Sequence, residues 1–158
     1  MALTLDQWYS LNIGSVVHVA YCASSGDLCS LIGSYQDITK DGDEHVVYFD
    51  SEATKYAGLP MYRLRKIGIK MGDIYHVSVL CDNMEILDTL RLCNFKPKLL
   101  SIIYTEPLDN DFTYPIRGYF KAVRNGMLQL YHKSSIKNLG GYTCYYSLEK
   151  IKAVEVLA

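Results

Sequence analysis

No apolar run in this 158-residue chain approaches the length of a membrane-spanning helix, and the segment before its first apolar stretch carries Asp6 in place of a basic cluster. The first absence argues against a helical membrane span and the second against a secretory signal, so a cytoplasmic location and no membrane partner are expected. Cysteine is sparse and unpatterned. Cys22, Cys29, Cys81, Cys93 and Cys144 form an odd set without a Cys-x-x-Cys, which fits neither a disulfide framework nor a zinc knuckle. Cys22 and Cys29 with His18 come nearest to a ligand set and lack the spacing, so no metal is expected. Catalytic motifs are missing as well. His18, His45, His76 and His132 are scattered over strand-like segments, and no nucleophile sits in a recognisable setting. Gly140-Gly141 is followed by Tyr142 and not by the lysine and hydroxyl of a phosphate-binding loop. Asp41, Asp43 and Glu44 surround a turn glycine, where aspartate bonds to its own backbone more often than it works as an acid or base. The chain reads as no enzyme and as needing no cofactor.

What the sequence does have is a second reading of itself. A shift of roughly 84 positions brings Ile32, Tyr35, Gly42, Ser51, Tyr62, Leu64, Lys66 and Ile67 onto Ile116, Tyr119, Gly126, Ser135, Tyr146, Leu148, Lys150 and Ile151 without a gap. A one-residue gap extends the match to Val17, Val19 and Tyr21 on Leu100, Ile102 and Tyr104. Two domains follow, residues 1–81 and 82–158.

Each half opens on a helix signal. Thr4 followed by Gln7 is a capping box, Asp82 followed by Glu85 caps similarly, and Ile86, Leu87 and Leu90 form an apolar helical stripe. The period then drops to two. Val16–Tyr21, Leu31–Tyr35, His45–Phe49 and Met61–Ile67 read as strands, with Met127–Tyr131 and Tyr145–Ile151 as their counterparts. Asp41-Gly42 and Asn125-Gly126 mark tight hairpins whose glycines need positive φ. The fold class expected is mainly β with short helices.

Charge is balanced overall, at a formal net −1, but unevenly spread. Residues 1–81 hold six Lys/Arg against nine Asp/Glu, and residues 82–158 hold ten against eight. Between 115 and 152, Arg117, Lys121, Arg124, Lys133, Lys137, Lys150 and Lys152 are opposed only by Glu149. Arg63, Arg65, Lys66 and Lys70 close the first half in a similar acid-free stretch. Such stripes either form solvated strand faces or neutralise phosphates with release of counterions. Tyrosines, fourteen in all, are interleaved with them, and Tyr142 and Tyr145 offer rings for stacking. The neighbours Tyr145 and Tyr146 must point to opposite faces of a strand.

Gly14-Ser15-Val16-Val17-His18-Val19, Gly26, Leu31-Ile32-Gly33-Ser34-Tyr35 and Val46-Val47-Tyr48 together resemble the SH3-like barrels, including the KOW and Tudor families. The second half departs from the pattern, with Pro97-Lys98 at the place of Gly14-Ser15. The resemblance implies two tandem SH3-like small barrels, each preceded by a short helix, that bind nucleic acid or protein segments. The compact, tyrosine-rich style also resembles small phage or viral accessory proteins, which act in the host cytoplasm or nucleoid. The function expected is non-catalytic, backbone-directed binding of duplex DNA without sequence preference, through the basic residues named above. Two alternatives stay open: an interaction or inhibitor module docking on a host protein, and a protein that sequesters a nucleotide-like ligand.

Overall fold

A computed structural model describes residues 1–52, 64–93, 98–105, 113–133 and 140–158, apart from the side chains of Glu52, Leu64 and Arg65. The first element is fixed by Thr4, whose hydroxyl accepts the Gln7 N–H at 3.2 Å while the Gln7 side-chain oxygen accepts the Thr4 N–H at 2.8 Å. This reciprocal cap starts α1 (Leu5–Ser10) and turns Trp8 inward. There the indole is fully buried, with its ring 5.5 Å from that of Tyr35 and 5.8 Å from that of Phe49. Val17, Val19, Ile38, Val47, Ile69, Ile74 and Val77 complete this core.

The chain divides into two compact units, Met1–Met84 and Glu85–Ala158. In the first, β1 (Val16–Cys22), β2 (Leu28–Asp41), β3 (Glu44–Glu52), β4 (Leu64–Lys70) and β5 (Ile74–Cys81) form one antiparallel sheet in the order β4-β3-β2-β1-β5. After α2 (Met84–Cys93), whose Ile86, Leu87, Leu90 and Cys93 are buried, the second repeats the plan. Its strands β6 (Leu99–Thr105), β7 (Thr113–Arg124), β8 (Met127–His132), β9 (Tyr142–Ser147) and β10 (Ile151–Val156) run in the order β10-β6-β7-β8-β9. A single 3-10 turn, Met71–Asp73 or Leu148–Lys150, joins the last two strands of each sheet. The fold is thus mainly β, with two helices among the described residues. Neither sheet closes on itself by hydrogen bonds: β4 and β5, like β9 and β10, are the two edges of their sheet.

The second strand of each sheet does two jobs. β2 pairs with β1 up to Ser34 and with β3 from Gly33 onward, and β7 passes from β6 to β8 at Tyr119. Each carries a β-bulge at the hand-over, between Tyr35 and Asp37 and between Phe120 and Ala122. The same bond pins both: Tyr35 N–H donates to Ser15 C=O and Phe120 N–H to Lys98 C=O, each at 2.8 Å. An extra residue at these points bends the strand around its core and re-phases the side chains beyond it.

These pairings correct the gap-free alignment. Val17 and Leu100 do correspond, opposite Gly33 and Gly118, as do Val19 and Ile102. On the next strand the bulges match Tyr35 to Phe120, so the shift of 84 is one residue short. A one-residue slip moves every side chain to the other face: Tyr35 is buried, whereas Tyr119 lies on the exposed side. Lys66 and Ile67 lie in β4, but Lys150 is in the 3-10 turn and Ile151 opens β10. The segment read as one strand, Tyr145–Ile151, is the end of β9, that turn and the start of β10. β5, with Ile74, Val77 and Cys81 buried, completes the first sheet and was not expected as a strand. Tyr62 and Ser135 lie outside the described residues.

Both hairpins form, with different turns. Asn125 and Gly126 have φ of 50° and 72°, the paired positive values of a type I′ turn between Arg124 and Met127. In the first unit Asp41 pairs with Glu44, so Gly42 (φ 63°) and Asp43 are the loop, and only the glycine has positive φ, the type II′ pattern.

Candidate nucleic-acid interface

Along β7 exposed and covered positions alternate: Arg117, Tyr119 and Lys121 are exposed, and Gly118 and Phe120 are buried. Arg117 and Arg124 are an odd number of residues apart, so an unbroken strand would turn them to opposite faces. The bulge removes the conflict. Ala122 pairs with Gln129 and Arg124 with Met127, which leaves Arg117, Tyr119, Lys121 and Arg124 on the face turned from the core. β8 adds Gln129 and Tyr131 to that face, and β9 adds Thr143 and Tyr145.

Contacts across the strands confirm the placement. The Lys121 ammonium donates to the Thr143 hydroxyl at 3.2 Å, reaching over β8, and the Lys133 ammonium sits 4.7 Å above the centre of the Tyr119 ring. Among the described residues both cations keep N–H donors unused, because an ammonium has three. Among the described residues Arg117, Lys121 and Lys133 form no ion pair. Tyr145 is 59% exposed and Tyr119 36% exposed. Tyr131 is half-buried because Gly141 passes against its ring: a Cβ at Gly141 would lie 2.3 Å from the ring and 2.4 Å from the His132 carbonyl oxygen.

Three of the sequence-selected residues fall elsewhere. Tyr142 pairs with His132 on the opposite face of β9 and stacks on that imidazole at 5.3 Å, so it is not brought to Tyr145. The same face holds Tyr146, whose hydroxyl bonds His132 Nε2 at 2.9 Å and whose ring packs edge-on against Tyr104. Burial, reinforced by the Cys144 contact, pushes the Tyr146 hydroxyl well above the ordinary tyrosine value, which keeps it neutral. Lys150 is half-buried in the 3-10 turn, and Lys152 is the exposed bulge residue of the edge strand β10. Arg63 and Lys137 lie outside the described residues, and of Arg65 only the strand position is described.

In the first unit, Lys66 sits 4.9 Å over the Tyr48 ring but is paired across the strands with Asp50, while Tyr48 is paired with Asp37. Lys70 bonds Glu44 at 3.3 Å. That face is of mixed charge. The acid-free stretch seen in sequence acquires carboxylates from β2 and β3 once the sheet forms.

The second unit's face gains one acid in the same way. Glu155 pairs with Ser101 and Ser101 with Arg117, so Glu155 stands two strands from Arg117, about 10 Å across the sheet. Lys121 lies four residues further along β7, and Lys133 follows β8, on the other side of β7 from Glu155. The sequence pointed to the basic residues and to the interleaved Tyr119 and Tyr131, but not to Gln129 and Thr143, which only the pairing of β8 and β9 with β7 brings beside them. Among the described residues no cluster of His, Cys, Asp and Glu is arranged to hold a metal. Compared with family models, with curated proteins and with solved structures, the chain matches none.

Proposed function

We propose that each unit is an SH3-like small barrel and that the second binds DNA without catalysis, through its phosphates, on the outer face of β7, β8 and β9. The meander with its fifth strand returned beside the first, and the 3-10 turn before that fifth strand, support the barrel reading. One observation carries the functional reading. The bulge at Lys121 gathers Arg117, Lys121 and Arg124 onto one face with Lys133, and Arg117, Lys121 and Lys133 have no carboxylate partner among the described residues.

Cations spread along a strand face can contact successive phosphates, and such contacts fix position without reading bases. Binding is therefore backbone-directed and independent of sequence. The test is retention of the full chain on immobilised DNA across a salt series. Affinity that falls steeply and equally for unrelated sequences supports the reading, because each phosphate contact releases counterions. Absence of retention at low salt contradicts it.

A further inference from the structure

We infer that the DNA taken by this face is single-stranded, with a base stacked on Tyr145 and its phosphate held by Lys121. This rests on the phosphate-binding reading above and narrows its ligand. A duplex keeps the flat faces of its bases inside the stack and offers a protein groove edges and phosphates. Cations alone would serve it. This face carries rings among its cations: Tyr145 with more than half its surface open, Tyr119 partly open, and Tyr131 between them on β8.

The positions of Tyr145 and Lys121 are linked through β9. Thr143 and Tyr145 are next neighbours on one face of that strand, about 7 Å apart, and the Lys121 ammonium is tied to the Thr143 hydroxyl at 3.2 Å. A charge is thus held within one nucleotide's reach of an open ring, and the alternation of β7 that exposes Arg117 and Tyr119 exposes Lys121 as well. Tyr119 is the lesser platform because the Lys133 ammonium already covers one side of its ring. Tyr145 pairs with Gln129 and lies on the edge strand β9, so no further strand covers it on that side among the described residues. Aromatic platforms beside a cationic track accept a single strand irrespective of sequence, since every base has a π-face.

The experiment measures binding of the full chain to a short oligo(dT) strand and to a short DNA duplex by fluorescence anisotropy at one salt concentration. Tyr145→Ala, Tyr145→Phe and Lys121→Glu are compared with the parent chain, each checked for an intact β spectrum by circular dichroism. Tighter binding of oligo(dT) than of duplex is expected. Tyr145→Ala should weaken oligo(dT) roughly tenfold or more while leaving duplex binding unchanged, and Tyr145→Phe, which keeps the ring, should restore it. Duplex bound as tightly as oligo(dT), or Tyr145→Ala without effect on oligo(dT), overturns the single-strand inference. If Lys121→Glu still weakens binding in that case, the phosphate reading stands. Binding of neither probe removes both and leaves the face to a protein partner.

Discussion

Lys121 and Thr143 are joined by a 3.2 Å hydrogen bond that crosses an intervening strand, from the bulge of β7 to the face of β9. A side chain can make that bond only from the outer face of the sheet. Since Lys121 is the extra residue of the bulge, the bond ties a backbone irregularity to the placement of a charge. Bulges that re-aim side chains are built features of strands more often than defects. Here the re-phasing decides whether Arg124 joins Arg117 or turns to the opposite face.

Removing the extra residue at position 121 is expected to abolish the bulge. The pairs Ala122–Gln129 and Arg124–Met127 then fit a regular strand with Arg124 still turned outward, but the bend that carries β7 from β6 to β8 is lost. Circular dichroism and thermal unfolding of this deletion should show a clear loss of stability, whereas Lys121→Gln, which keeps the backbone, should unfold like the parent chain.

Gly126 at φ 72° follows Asn125 at φ 50° in the type I′ turn. Gly126→Val forces a β-branched residue into left-handed backbone and should destabilise the second unit by about 1 kcal/mol or more. Gly141→Ala should also destabilise it, by a different route, because the new Cβ meets the Tyr131 ring and the His132 carbonyl. Chemical denaturation followed by tyrosine signals measures both.

Much of this architecture was legible in the residues. The Thr4–Gln7 cap, the stripe of Ile86, Leu87 and Leu90, the alternation in Val16–Tyr21 and the turn glycines all act through neighbours in sequence, so local rules read them. The opposite faces of Tyr145 and Tyr146 followed from the strand period alone. Bulges, by contrast, are set by long-range bonds such as Phe120 to Lys98, and they left no mark in the local pattern. Eight identities at one fixed shift therefore looked like register, although the units differ in hairpin length and connections. The basic residues of β7 were visible, but Glu155 beside them and the loss of Tyr142 to the other face needed the strand pairing.

Trp8 is the sole tryptophan and is fully buried in the first unit between Tyr35 and Phe49. Its fluorescence should be blue-shifted and should report unfolding of that unit alone. Trp8→Ala removes the centre of the core and should cost about 3–5 kcal/mol, enough to unfold a small domain. A change well below that, measured by denaturant titration of circular dichroism, would contradict the packing described.

Tyr146 predicts an alkaline limit to the second unit's stability. Its hydroxyl is raised in the folded state above the ordinary value of 10.0, chiefly by burial, so the folded chain retains a proton that the unfolded chain releases. Its contribution is fully present below pH 10.0 and lost as pH rises above it. Thermal melts between neutral pH and pH 11 should show falling stability, and Tyr146→Phe should fall less steeply. An equal slope in both would show that Tyr146 is not the group responsible.

The most direct test of the central claim is the slope of log affinity against log salt for oligo(dT), compared between the parent chain and the double variant Arg117→Glu with Lys121→Glu. The account predicts measurable binding at low salt by the parent. In the variant, affinity should be weaker and the slope shallower by about 0.7 per lost phosphate contact. An unchanged slope and affinity in a variant with an intact β spectrum would contradict it, for phosphates would then be bound elsewhere or not at all.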